Sequence, residues 1–191
     1  MLIGVLFLLC LASVPLARGR LGALAELDLR ASWILLAGLA AQILVISVFP
    51  GGAGALHTGA HLASYACIAA FVAANWARVP FLWLIALGGA LNLAAIVANG
   101  GVMPADPAAL AAAGIATPAG EFSNSTAVAG AKLQFLGDVL WLPSSWPVHN
   151  VFSIGDVLIV AGAFLALHTI SGSRLALRAL ATLPPVPQPA G

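Results

Sequence analysis

Hydrophobic positions in this chain do not alternate with polar ones; they come in long unbroken runs. No acidic or basic residue occurs in 1–17, 31–77, 79–105 or 157–173. Barrel strands would show a period of two, which these runs lack, so helices are the expected element. The run 31–77 is interrupted at Pro50-Gly51-Gly52, where a missing backbone donor meets flexible backbone. The pattern predicts helices near 1–17, 31–49, 60–77, 80–98 and 151–170.

Composition sharpens that picture. Of 191 residues 62% are hydrophobic and 7% charged, with seven Lys+Arg against six Asp+Glu. Soluble domains ordinarily carry about a quarter charged residues. The near-neutral balance provides no basic footprint, so no nucleic-acid partner is expected. Roughly 20 apolar residues cross a bilayer core. The expected class is therefore all-α: a polytopic membrane bundle of about five transmembrane helices, with the lipid bilayer as its surroundings. Its small residues, 20 glycines among them, suit close helix packing and a second copy or another membrane protein as partner.

The placement of charge orients this layout. Arg18, Arg20, Arg30, Arg78, Arg174 and Arg178 fall on one side of it and Lys132 on the other, with Trp33, Trp76 and Trp83 near the arginine side. The positive-inside rule then puts the N-terminus outside and the C-terminus in the cytoplasm. The first run is expected to be a retained helix and not a signal peptide, because Arg18 and Arg20 follow the apolar stretch instead of preceding it. Residues 1–170 form one transmembrane domain, and 171–191 form a Pro-rich cytoplasmic tail expected to be disordered. Cys10 and Cys67 lie in apolar runs and are expected to be small buried side chains.

The chemistry-bearing residues gather in a long connection, 99–150, on the side opposite the arginines. It is expected to be ordered. Asn99-Gly100-Gly101-Val102-Met103-Pro104 forms a turn, and Asp106-Pro107 caps a short helix over 108–113 closed by Gly114. Leu136-Gly137-Asp138-Val139-Leu140 recurs as Ile154-Gly155-Asp156-Val157-Leu158. Each copy sets a carboxylate beside backbone that can approach closely. Asp156 reads either as part of a polar site under the loop or as a helix-start residue favoured by the helix dipole. His57 and His61, spaced i,i+4, and His149 are the candidate metal ligands, although no His-Glu-x-x-His pattern accompanies them. No cofactor can be named. Gln42, Asn75 and Asn92 read as interhelical glue or cavity lining, and His168 as a satisfied interhelical group.

Three segments in order, Asn99-Gly100-Gly101-Val102-Met103-Pro104, Leu136-Gly137-Asp138-Val139 and Phe152-Ser153-Ile154-Gly155-Asp156-Val157-Leu158-Ile159, resemble the hallmark pattern of the bacterial membrane-protein family catalogued as domain of unknown function 5317. The resemblance runs from near Leu2 to about Leu167. It implies a small multi-helix protein of the bacterial cytoplasmic (inner) membrane, and a family without an established activity. It groups Asn99, Gly100, Gly101, Met103, Pro104, Gly137, Asp138, Ser153, Gly155 and Asp156 into one outer-side feature without assigning catalysis. The expected function is an integral membrane protein that binds a small ligand or partner beneath its outer loop. A transporter or channel component, and a membrane enzyme using outer-side Asp and His residues, are the alternatives.

Overall fold

The computed structural model describes residues 2–43, 55–115 and 125–176. Long helices form where the apolar runs lie: α1 (Leu2–Leu16), α2 (Ser32–Ile43), α3 (Ala55–Asn75), α4 (Leu82–Ala98) and α6 (Ile154–Ile170). Their ends carry local signals. α4 stops where Gly100 and Gly101 adopt positive φ, so that Gly101 N–H reaches the Ile96 carbonyl at 2.8 Å and Gly100 N–H that of Val97 at 3.3 Å. This pair of bonds is the Schellman terminator, open to glycine because a left-handed residue there meets no Cβ penalty. α6 starts at Ser153, whose side chain accepts from the Asp156 N–H while the Asp156 carboxylate accepts from the Ser153 N–H. That reciprocal capping box satisfies two donors the first helical turn would leave open.

α4 and α6 run antiparallel in very close contact. A Cβ on Gly88 would strike the Gly155 carbonyl, and one on Gly162 would lie 2.7 Å from Ile85 Cγ1. α1 runs alongside α6 in the same direction, packing Cys10 and Val14 against Leu167, with Leu24, Val160 and Phe164 around them. α2 lies against α3, where Gly38 leaves room for Cys67 and the Ser64 backbone.

The helices share two ends. At one, Arg20 N–H donates to the Ser171 carbonyl at 2.9 Å and Arg174 N–H to that of Ala17 at 3.0 Å, joining the ends of α1 and α6. Asn75, fully buried, holds the Arg30 backbone from both sides at 2.9 and 2.8 Å, joining α3 to the start of α2. At the other end the connection from α4 to α6 forms a layer of its own. It contains β1 (Met103–Pro104), α5 (Pro107–Ala113), β2 (Ser125–Thr126), β3 (Leu140–Leu142) and β4 (Asn150–Phe152). β1 and β2 are parallel, with Met103 opposite Ser125; β3 and β4 are antiparallel, with Trp141 opposite Val151. Ala105, Ala109, Leu110, Ala113 and Val151 pack as its core. α5 has Asp106 as N-cap, Pro107 in its first turn and Gly114 at φ 66° as its terminator.

Two expectations are corrected here. The chain is mostly helical but not all-α, since the connecting layer holds two small two-stranded sheets. More importantly, no helix among the described residues is long and apolar enough to cross a membrane. α4 and α6 each have 17 residues, a rise of about 25 Å, against a hydrocarbon core of ~30 Å. α3 has 21 residues but includes His57, Thr58, His61, Ser64, Tyr65 and Asn75. Uncharged runs overstate helix length, because uncharged turns such as Asn99-Gly100-Gly101 belong to the run and not to the helix. The five-crossing bundle and its inside–outside orientation rested on that length and are corrected with it, and a multi-pass placement loses the same support. The Pro-rich tail beyond residue 176, residues 44–49 of the predicted 31–49 helix and the Pro50-Gly51-Gly52 break lie outside the described residues.

Candidate ligand-binding site

Asn92 is the polar hub where the connecting layer meets the helices. It is buried on α4, and its Nδ2 donates to Asp156 Oδ1 at 2.8 Å while its Oδ1 accepts from Ser153 Oγ at 2.8 Å. Asp156 Oδ2 takes the Ser153 N–H at 3.1 Å, and Ser153 Oγ takes the Asp156 N–H at 3.0 Å. Gly155 makes this possible, because a Cβ there would collide with Asn92 Oδ1. Asp156 is thus a helix-capping residue and also the acceptor for a neighbouring helix.

The related segment around Asp138 has a different geometry. Gly137 has no Cβ to block the Pro104 carbonyl. Asp138 N–H donates to that carbonyl at 2.9 Å, and Asp106 N–H donates to the Asp138 carbonyl at 3.0 Å. Asp138 is therefore buried in extended backbone beside Ala105, not at a helix start. The phenol of Tyr65, on α3, links the two carboxylates electrostatically. Its pKa is pushed up to about 12, first by burial and then by the charges of Asp156 and Asp138, since both effects disfavour the phenolate.

The other candidates divide clearly. Asn99 clamps the layer: its Nδ2 donates to the Ala95 and Lys132 carbonyls at 2.7 and 2.8 Å, and its Oδ1 accepts from Lys132 N–H at 2.9 Å. Gly100 and Gly101 form the terminator of α4. Met103 is buried against Ala95 and Ile96, with Leu62, Tyr65 and Leu136 alongside, and Pro104 is buried beside it. His149 is exposed, its Nδ1 3.4 Å from the Trp146 carbonyl. His57 and His61 lie on the first turns of α3; their side chains lie outside the described residues. No group of three His, Cys, Asp or Glu side chains among the described residues could hold a metal ion.

Asp156 also borders, through its apolar atoms, a groove of about 620 Å³ between α1 and α6. Leu2, Leu6 and Cys10 form one wall, Val157, Val160 and Phe164 the other, and Trp146 with Phe152 from the connecting layer closes over it. Asp156 is its one charged lining residue among those described. Burial raises the pKa of the Cys10 thiol, so it lines the groove as a neutral group. The groove lies under the 140–152 hairpin, not under Asn99–Pro104. Sequence reading treated Asn92 only as glue or lining and passed over Tyr65 altogether. The available signal for Asn92 was an amide in an otherwise apolar helix, a position that demands partners.

Fold and site together define a mostly helical protein whose inter-helix connection builds a capping layer beside an apolar groove bordered by Asp156. The chain belongs to the family of unknown function DUF5317, whose model matches residues 26–168, about three quarters of the chain. The matched region contains Asn92, Ser153, Asp156 and the α6 wall of the groove, while the α1 wall precedes it. No curated protein and no solved structure matches the chain.

Proposed function

We propose that the protein binds a small amphipathic molecule: an unbranched aliphatic body in the α1–α6 groove, with an ammonium group at Asp156. The observation that carries this reading is an apolar groove of about 620 Å³ that has Asp156 among its lining residues. That volume lies within the ~300–1,000 Å³ usual for small-molecule sites, which pair apolar walls with a few placed polar groups. Asn92 and the Ser153 N–H each occupy one carboxylate oxygen of Asp156. They fix its orientation, and each oxygen keeps a further lone pair for a donor. A cationic donor suits this position best, because charge-assisted hydrogen bonds are roughly twice as strong as neutral ones. The residues support recognition over catalysis, since Asp156 and Asp138 sit in separate backbone settings with no described histidine at either.

Calorimetric titration with decylamine, decanol and decanoate, each below its micelle concentration, tests the assignment. Decylamine should bind tightest and decanoate weakest. Asp156→Asn should weaken decylamine about tenfold, ~1.4 kcal/mol, and leave decanol unchanged. Val157→Trp, at an exposed groove position, should reduce binding of all three. Equal affinities for the three head groups, or no binding of any, would overturn the reading.

A further inference from the structure

The end of the molecule opposite the groove is basic, and exposed indole rings stand among its arginines. Arg18, Arg20 and Arg30 lie between α1 and α2, Arg78 between α3 and α4, and Arg174 just beyond α6. The backbone bonds from Arg20 to Ser171, from Arg174 to Ala17 and from Asn75 to Arg30 bring these segments to one face. Glu26 and Asp28 are the acids in those segments, so five arginines against two acids leave an excess of three positive charges. Among the described residues the opposite layer carries Asp106, Asp138 and Asp156 against Lys132, an excess of two negative charges. Arg20 is paired with Glu26 at 3.2 Å. Three tryptophans stand at the basic end, and all are exposed: Trp33 by 71%, Trp76 by 57% and Trp83 by 52%.

We infer that this arginine–tryptophan end is a docking surface for an anionic lipid surface, contacting its headgroups. The two observations are independent and point to the same partner. Arginines complement lipid phosphates, and basic residues close to an anionic leaflet are attracted individually. Exposed indole rings find their favoured place at the headgroup level, where an apolar body and a polar N–H are both accommodated. The polarity of the molecule also aims the contact, because the acidic layer around the groove would be repelled from the same surface.

Sedimentation of the full chain with vesicles tests this. Vesicles of equal parts phosphatidylcholine and phosphatidylglycerol should capture the protein, and pure phosphatidylcholine vesicles should capture markedly less. Arg18→Gln and Arg174→Gln, both at exposed positions, should each weaken capture by the mixed vesicles about fivefold. Lys132→Gln, at the acidic end, should leave it unchanged. Raising the salt concentration should weaken capture, because exposed charges are screened beyond a Debye length of roughly 10 Å at 0.1 M. Trp33→Ala should reduce capture without altering its salt dependence. Equal capture by both vesicle types would overturn the inference, as would arginine variants that bind like the parent. A Lys132→Gln loss matching theirs would show a net-charge effect and also overturn it. Tighter binding to polyglutamate than to the mixed vesicles would assign the face to an acidic protein instead.

Discussion

Asn92 shows how far a single amide can organise a site. Its two ends are not interchangeable: an ionised Asp156 only accepts, so Nδ2 must face it, and the Ser153 hydroxyl then directs its proton to Oδ1. Ser153 is fully buried, so removing its hydroxyl has two costs. Ser153→Ala deletes the side-chain cap of α6, typically ~1 kcal/mol. It also leaves Asn92 Oδ1 without its Ser153 donor, for which an unsatisfied buried group adds ~1–3 kcal/mol. Urea denaturation should therefore show a loss of about 2 kcal/mol or more, and a loss under 0.5 kcal/mol would mean that Asn92 re-pairs. By contrast, the exposed Arg20–Glu26 pair should contribute little, as surface ion pairs usually do.

At the scale of elements, two adjacent glycines make the sharpest test. A Cβ on Gly88 would meet the Gly155 carbonyl and lie 3.0 Å from Ile159 N, while one on Gly89 would meet nothing within 4 Å. Backbone cannot move aside as a flexible side-chain tip can, so Gly88→Ala should cost ~1–3 kcal/mol as overpacking. Gly89→Ala should stabilise by about 0.5–1 kcal/mol, because alanine loses less backbone entropy in a helix interior. Thermal unfolding of the two variants should shift in opposite directions. Sequence alone could not separate these glycines, since both lie in one apolar run and the difference comes from α6. The same limit explains what was and was not legible. The segments at 2–16, 82–98 and 154–170 were visible as apolar runs, and α5 from Asp106, Pro107 and Gly114, because those signals are local. The register of β1 and β2 depends on a partner strand beyond a long connection, and two-residue strands carry no alternation to read. Whether helices reached membrane-crossing length was misjudged for a local reason as well, since uncharged turns were counted into the runs. The Leu-Gly-Asp-Val-Leu echo correctly marked two close backbone approaches, but Asp138 entered a bridge and Asp156 a helix start.

For the whole molecule, one buried histidine joins the ends of α1 and α6. His168 is 1% exposed and bridges Ser13 Oγ at 3.0 Å through Nε2 and Ser173 Oγ at 2.6 Å through Nδ1. Ser13 Oγ donates to the Cys10 carbonyl at 2.7 Å, so it accepts from Nε2–H, and Ser173 donates to Nδ1. This arrangement requires the neutral ring, and burial lowers the pKa of His168 from its ordinary 6.5. The sign of the linkage follows. Above pH 6.5 the ring is neutral in both folded and unfolded chains, and the full stability is present. As pH falls below 6.5 the unfolded chain takes up the proton while the folded chain resists it. Stability therefore declines until pH reaches the lowered folded pKa, with a slope of at most ~1.4 kcal/mol per pH unit for one proton. Urea titrations at successive pH values should show this decline, and His168→Gln should remove it. The variant also separates charge from packing, since glutamine can still bridge two hydroxyls but lacks the ring tilted against Phe164 at a centroid distance of 4.2 Å. A uniform offset with the slope retained would assign the histidine a packing role only. A slope that vanishes would identify His168 as the group through which falling pH loosens the basic end.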